Sequence, residues 1–136
     1  AGSASICCCG YSPMTVHSFT TETAECEKFA PAPDRLVSGS PAGETRNAYE
    51  SADGRKFFGE WSCAEGAWRV SYSEWEYCRI LEGSARLTGD DGSVVEVGPG
   101  GNLVIEPGFE GVWENLTPVR KLYVIDLGNA GEGRPD

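Results

Sequence analysis

The spacing of turn signals is the feature that most limits what this chain can fold into. From Thr45 onward, glycine, proline and Asp-Gly turns recur about every 8–12 residues, which is typical of short strands in an all-β domain. No segment keeps a helical spacing of apolar residues over about ten positions, so the crossover helices of a parallel α/β sheet are missing. The sequence therefore predicts an antiparallel sandwich or barrel.

Nine strands are predicted between these turns. They cover residues 46–50, 56–62, 68–72, 75–81, 85–88, 93–97, 103–105, 109–114 and 121–125. Gly89-Asp90-Asp91-Gly92 is predicted to be a hairpin loop, because Asp-Gly supplies the backbone conformation that tight hairpins need. A chain of 136 residues is the usual size of one domain.

Charge and composition exclude several classes of function. The chain carries 21 acidic and 11 basic residues, a net charge of −10, and this negative field repels nucleic-acid phosphates. No run of about 18 apolar residues is present, so no membrane-spanning helix is predicted. His17 is the only histidine, which excludes any site that needs two histidines from one chain.

The cysteines do not show the pattern of a zinc site or a disulfide framework. Six are present, and three of them are adjacent at Cys7, Cys8 and Cys9. No Cys-x-x-Cys pair occurs. This usage indicates a reducing compartment, and we predict a cytoplasmic protein.

Two motifs in the middle of the chain resemble those of the cupins, a superfamily of small jelly-roll barrels. Glu76-Tyr77-Cys78-Arg79-Ile80-Leu81-Glu82-Gly83 matches the second half of the first cupin motif, in which a glycine follows the glutamate by seven residues. The stretch 100–115, with its apolar strand and Pro107-Gly108 turn, matches the second motif. The resemblance implies an all-β, single-domain cupin jelly-roll β-barrel with an extended N-terminal arm.

Three shorter runs narrow the resemblance to one branch. They are Glu-x-Cys-x-Ile-Leu-Glu-Gly from Glu76, Pro-Gly-Phe-x-Gly-x-Trp from Pro107 and Arg-Lys-x-Tyr-Val-Ile from Arg120. Together they are similar to the branch related to ureidoglycine aminohydrolase and the ethanolamine-utilisation cupin. The resemblance covers roughly residues 33–126, and many members of that branch have no assigned activity.

The organisation of the chain follows from its composition and from the resemblance. Residues 1–13 are uncharged and of unusual composition, and we predict a non-native or disordered tail. Residues 14–44 form an extended arm with one ordered stretch at 34–37. Residues 45–127 form the cupin barrel, and 128–136 a flexible tail. We predict a homodimer, in which the arm adds a strand to the partner's sheet edge.

Other residues stand where the resemblance implies histidine ligands. Val70, Tyr72 and Gly111 hold those positions, and Glu76 alone remains of the four usual ligands. Because a catalytic transition metal typically needs three protein ligands, we predict no metal centre and no cofactor.

Strand alternation brings the remaining polar side chains into one inward-facing set. The set comprises Tyr72, Glu76, Cys78, Gly111, Trp113, Lys121 and Tyr123. The candidates for catalysis are Glu76, Lys121 and Tyr72, and those for ligand contact are Trp113, Cys78, Tyr123 and Gly111. Gly111 is expected to leave space where a histidine ring would lie.

Several functions remain open for this set. A metal-independent cupin would bind a small polar metabolite in the barrel, with Glu76 and Lys121 as polar contacts, and carry out proton transfer, isomerisation or C–N hydrolysis. The same pocket would serve a non-catalytic binding or sensory module, and Glu76 with Lys121 would also make a structural ion pair. A metal-dependent, aminohydrolase-like enzyme would need Glu76, Tyr72 and Cys78 as atypical ligands.

Structural roles are expected for the other aromatic and thiol groups. Trp61, Trp68 and Trp75 are predicted to pack in the core or at a dimer face. Cys78 is more typical of a small core residue than of a nucleophile, because no histidine is available to activate it. Trp113 fits either core packing or the wall of a pocket.

Overall fold

The computed structural model of the chain describes residues 15–128, and they form eleven strands and one short 3-10 helix. The strands are β1 (Cys26–Phe29), β2 (Leu36–Gly39), β3 (Gly43–Glu50), β4 (Lys56–Cys63), β5 (Gly66–Ser71), β6 (Trp75–Glu82), β7 (Ala85–Gly89), β8 (Val94–Val97), β9 (Asn102–Ile105), β10 (Glu110–Asn115) and β11 (Val119–Asp126). The 3-10 helix is Pro33–Arg35. The predicted tail 1–13, with its three cysteines, and residues 129–136 lie outside the described part.

Two antiparallel sheets face each other. One has six strands in the order β1-β3-β4-β11-β6-β9, and the other has five in the order β2-β5-β10-β7-β8. This is a jelly roll, so the predicted all-β, single-domain architecture is confirmed. All nine predicted strands are present, with ends that differ by at most three residues.

The N-terminal arm is part of both sheets. Its strand β1 pairs with β3, and its strand β2 pairs with β5, so each forms one edge of a sheet of its own chain. Only the second was anticipated, as the ordered stretch at 34–37. The strand β1 was missed because it is four residues long and largely exposed, and its pairing with β3 is not local.

The core lies between the sheets and consists of the inward side chains of both. Trp113, Ile80 and Cys78 are its largest fully buried side chains. Gly59 allows Tyr123 to lie flat against β4, because a side chain at Gly59 would occupy the position of the Tyr123 ring and hydroxyl. Alternation along β11 buries Lys121 and Tyr123 and leaves Leu122, the residue between them, on the outer face.

The structure bears on two predictions, which are a reducing compartment and the lack of a membrane-spanning helix. The cysteines within residues 15–128 are Cys26, Cys63 and Cys78, and all three are free thiols. In the same part of the chain, no helix has the length and apolar character needed to cross a bilayer.

Candidate active site

A cavity of about 520 Å³ opens between the two sheets, which is within the usual size range of small-molecule sites. Its floor is made of buried side chains from both sheets, among them Glu76, Lys121 and Trp113. Its mouth is formed by the exposed connection 30–35 between β1 and β2. The arm therefore contributes directly to the entrance.

A buried ion pair lies at the floor. The Lys121 Nζ atom is 3.2 Å from Glu76 Oε2, and the two side chains are 7% and 8% exposed. Cys78 joins the pair, because its Sγ donates to the same Glu76 oxygen at 3.2 Å and accepts from Lys121 Nζ at 3.4 Å. Glu76 and Cys78 are two residues apart on β6, so alternation points both toward Lys121 on the neighbouring strand.

Two indole rings enclose the ammonium group. Lys121 Nζ lies 4.6 Å from the ring centroid of Trp61 and 4.3 Å from that of Trp113. Trp61 is the cross-strand partner of Lys121 on β4, and the Trp113 ring is held by its Nε1 hydrogen bond to Asn115 at 2.7 Å. Cation–π attraction at both faces stabilises the protonated form of Lys121.

The protonation states follow from burial and from the pair. Burial disfavours the Lys121 ammonium, but the charge of Glu76 and the contacts with Cys78 outweigh it, so the pKa of Lys121 is raised. Burial chiefly raises the pKa of Cys78 to about 12. Burial, with a further contribution from Glu76, raises the pKa of Tyr72 well above its usual value. At neutral pH the site therefore holds an ammonium, a neutral thiol and a neutral phenol.

Most of the predicted site residues do come together. Tyr72, Glu76, Trp113, Lys121 and Tyr123 all line the cavity. The hydroxyl of Tyr123 donates to Asn47 Oδ1 at 2.8 Å, which fixes its ring against the wall. Cys78 does not line the cavity, since it is fully buried behind Glu76 and reaches a ligand only through that side chain.

The expectation for Gly111 is wrong. A side chain at Gly111 would collide with the backbone of β7, where Gly89 Cα would be 2.9 Å from the added carbon, and Phe109 Cζ would be 3.0 Å away. The residue does not line the cavity, and the ring of Phe109 takes up the nearby space. Glycine is needed here because β10 and β7 approach closely, and it leaves no room for a ligand.

Sequence reasoning missed several residues of the cavity. Trp61 and Trp68, predicted to pack in the core or at a dimer face, line the cavity while also packing on each other at 6.1 Å between centroids. Phe29 and Arg35 reach the mouth from the arm. The alternation of β4 and β5 was a usable signal for the two tryptophans, but nothing local pointed to the arm.

The donor set at the floor does not fit a metal ion. Within residues 15–128, no group of three or more histidine, cysteine or acidic side chains is arranged around a common point. The Lys121 ammonium already lies within hydrogen-bond distance of both Glu76 and Cys78 and would repel a cation between them. The atypical ligand set of Glu76, Tyr72 and Cys78 is therefore a poor metal site, because its thiol stays protonated and its carboxylate is neutralised.

The jelly roll, with its two strand motifs facing one cavity, defines a protein of the cupin class. The model of the EutQ-like cupin domain family matches residues 50–123, more than half of the chain, and the chain belongs to this family. A search of curated proteins finds no match.

Solved structures show the same fold. A protein of unknown function of the DUF861 family from Pseudomonas syringae pv. tomato aligns with a TM-score of 0.69 at 22% identity, over 76% of this chain and 45% of that one. A predicted oxalate decarboxylase from Thermotoga maritima gives 0.64 at 17% identity, over 82% and 100%. A putative ethanolamine utilization protein Q from Salmonella typhimurium gives 0.59 at 16% identity, over 79% and 99%. The chain thus spans less than half of the Pseudomonas protein.

Proposed function

We propose that the chain binds a small polar metabolite in the cavity between the sheets, with the Glu76–Lys121 pair as the polar contact at its floor. The observation that carries the proposal is the burial of this pair at the end of a cavity of about 520 Å³. Removing two charges from water is costly, and apolar side chains would fill the same space without that cost. Contact with the polar groups of a ligand would account for a buried ion pair at this position.

The protonation states limit the chemistry of such a site. Lys121 is held as an ammonium by Glu76 and two indoles, so it donates hydrogen bonds and does not act as a nucleophile. The neutral thiol of Cys78 is likewise a poor nucleophile. A reaction here would be a metal-independent proton transfer, isomerisation or C–N hydrolysis, with Glu76 and the Tyr72 hydroxyl in contact with the substrate.

A non-catalytic binding or sensory module is the second candidate. One observation favours it: the Glu76 Oε2 atom accepts from both Lys121 and Cys78, at 3.2 Å each. The two hydrogen bonds fix the position of this carboxylate, which suits the recognition of a ligand. Turnover of a bound compound would decide between the two candidates.

The test uses ligand-observed NMR with a panel of simple amides, amines, alcohols and carboxylates, such as acetamide, propylamine, glycerol and propionate. Glu76→Gln should weaken the binding of any compound that the wild type takes up by at least about tenfold, which is about 1.4 kcal/mol, and abolish any turnover. Glu82→Gln is the matched control, because Glu82 is on the same strand with its side chain 66% exposed.

Circular dichroism and thermal unfolding must show that both variants fold. Binding that Glu76→Gln leaves unchanged, or a wild type that binds no compound of the panel, would contradict the proposal. Binding that is lost in Glu76→Gln without any turnover in the wild type would establish the binding module.

We also propose that the chain forms a homodimer. An in-register apolar row crosses the outer face of the six-stranded sheet through Tyr49, Phe58, Val124, Tyr77 and Val104. Phe19 of the same chain packs on Tyr49 and Phe58 at 5.4 and 5.2 Å between ring centroids. The part of the row left for a second copy is therefore Val124, Tyr77 and Val104, and Val104 is 53% exposed. Light scattering should give twice the chain mass of 14.6 kDa at micromolar concentration. A monomer there would contradict the proposal.

The position of the dimer interface has its own control. Val104→Glu should shift the dimer toward monomer, because it places a charge in the apolar row. Val37→Glu should not, since Val37 is 55% exposed on β2 of the other sheet. Equal effects of the two substitutions would place the interface elsewhere.

A further inference from the structure

The charged groups around the cavity are not all paired. Those that line it are Arg35, Arg69, Glu74, Glu76 and Lys121. Lys121 neutralises Glu76, and Arg69 donates to both oxygens of Asp90 at 2.9 and 3.0 Å. Among residues 15–128, Arg35 has no carboxylate within ion-pair distance. Its guanidinium is therefore a cation at the mouth that is available to an anionic group of a ligand.

The charged groups at the mouth come from different sheets. Arg35 immediately precedes β2, whose Leu36 pairs with Trp68 of β5, so Arg35 lies beside the five-stranded sheet. Glu74 lies on the connection that enters β6 of the other sheet, where it accepts a hydrogen bond from Ser73 at 3.3 Å. An anion at Arg35 is thus placed beside the five-stranded sheet.

Aromatic rings form much of the wall between the mouth and the floor. Phe29 lies 5.5 Å from Trp61 and 5.7 Å from Trp68, and Trp61 lies 5.9 Å from Trp113, measured between ring centroids. Tyr72 and Tyr123 complete the aromatic lining. Rigid, flat walls of this kind favour flat ligands, since a planar π-system packs on them with little loss of contact.

The floor favours a hydrogen-bond donor. Glu76 is the acceptor there, and the charge of its Lys121 partner balances its own. We propose that the cavity takes a planar aromatic or conjugated carboxylate, with the carboxylate at Arg35 and a hydroxyl or amine donor at the Glu76 carboxylate of the ion pair. This assignment rests on the proposed function, because it requires that the cavity binds a small molecule.

Four probes separate the parts of this assignment. 4-Hydroxybenzoate carries the ring, the anion and the donor; benzoate lacks the donor; 4-hydroxybenzamide lacks the anion; and trans-4-hydroxycyclohexanecarboxylate lacks the planar ring. Titration calorimetry on the full chain should show 4-hydroxybenzoate binding at least about fivefold more tightly than each of the others. For benzoate and 4-hydroxybenzamide this is the size expected for one charge-assisted hydrogen bond partly exposed to water, and for the cyclohexane acid it is the size expected for an aromatic contact.

Arg35→Gln tests the contact directly. It should weaken 4-hydroxybenzoate about fivefold and leave 4-hydroxybenzamide unchanged, because only the first carries the anion. Arg79→Gln is the matched control: Arg79 is exposed on the outer face of the six-stranded sheet and contacts Asn102. It should change neither affinity.

The outcomes distinguish this inference from the proposed function. If 4-hydroxybenzamide or the cyclohexane acid binds as tightly as 4-hydroxybenzoate, or if Arg35→Gln weakens acid and amide alike, the inference is overturned while the cavity still binds. If the aromatic probes fail but the small amides or amines bind, the inference again fails alone. If no compound of either set binds, the proposed function itself is wrong.

Discussion

Two ion pairs stand side by side on β11 and differ in almost every physical respect. Arg120 faces outward and bonds Glu60 and Glu82 at 3.1 Å each, with its side chain 38% exposed. Lys121, the next residue, faces inward and meets Glu76 at 3.2 Å, with its side chain 7% exposed. The distances are nearly equal, so distance alone does not tell what an ion pair contributes.

Solvent makes the difference between the two pairs. Water and salt screen the outer pair. When Arg120 is removed, Glu82 stays hydrated at 66% exposure, and Glu60, at 20% exposure, keeps a hydrogen bond from Thr21. The inner pair has lost its water, so each ion depends on the other, on the Cys78 thiol and on two indoles. Stability gains little from such a pair over apolar packing, whereas a ligand-binding cavity gains a fixed polar floor.

The largest expected effect comes from breaking the inner pair. Lys121→Met leaves Glu76 buried without a counter-ion, and should lower the free energy of unfolding by about 3–5 kcal/mol. Arg120→Met, a change of the same type one residue away, should cost only a small fraction of that, because Glu82 remains hydrated and Glu60 keeps partial exposure and a hydrogen bond from Thr21. Urea unfolding measures both variants.

A double variant separates the charge from the packing. Glu76→Leu combined with Lys121→Met removes both ions, and should recover most of the stability that Lys121→Met alone loses. Two outcomes would contradict the prediction: equal losses for Lys121→Met and Arg120→Met, or a double variant as unstable as Lys121→Met. Either would show that an unpaired buried charge is not the cause of the lost stability.

The second prediction compares thiols inside and outside the cluster. Cys78 is fully buried with a pKa of about 12, whereas Cys26 is exposed on the edge strand β1. Iodoacetamide at about pH 8 should label Cys26 at least roughly a hundredfold faster than Cys78, because both access and thiolate fraction favour it. Peptide mass spectrometry assigns the labels, and unfolding in urea should abolish the difference. Comparable labelling rates for the two thiols in the folded protein would contradict the prediction, because they would mean that the floor of the cavity opens to the reagent.

Strand alternation explains why part of the site could be predicted. The inward directions of Glu76 and Cys78 on β6, and of Lys121 on β11, follow from the two-residue period of a strand, which is a local property. The stacking of Lys121 on Trp61 depends on the register of β11 against β4, two strands far apart in the chain. Periodicity does not set that register.

The arm and Gly111 show the same limit. The short strands β1 and β2 of the arm look like a loop in the sequence. Their pairing with β3 and β5 depends on sheets that form elsewhere in the chain. Gly111 was assigned to the cavity from its motif position and from its inward phase on the strand. The close approach of β10 to β7, and the ring of Phe109, decide what that position does.

The third prediction concerns alkaline pH. The pKa values of Lys121, Cys78, Tyr72 and Tyr123 are all raised in the folded state. A raised folded pKa stabilises the fold fully below the unfolded pKa, and this contribution is lost as pH rises through the folded pKa. The urea midpoint should therefore fall as pH rises from about 9 toward 12, beginning near the ordinary thiol pKa of about 8.5.

The alkaline effect has a control within the cluster. Tyr72→Phe removes one of the titrating groups, so its stability should fall less steeply over the same range than that of the wild type. A midpoint that stays constant from about pH 8 to 11, or an equal slope in the variant, would contradict the assigned shifts.

The smallest expected effect concerns the outer pair, whose contribution to stability is lost at acid pH rather than at alkaline pH. The hydrogen bond and the charge of Arg120 lower the pKa of Glu82. A lowered folded pKa stabilises the fold above the unfolded pKa, and the contribution is lost as pH falls through the folded pKa. The small difference in urea midpoint between wild type and Arg120→Met should therefore shrink as pH falls below the ordinary glutamate pKa of about 4.3. It should also vanish in about 1 M NaCl, where the screening length is about 3 Å. The difference caused by Lys121→Met should persist in that salt, because salt screens a pair whose side chains are only 7% and 8% exposed much less than it screens a surface pair. A Lys121→Met effect that salt removes would erase the distinction between the two pairs.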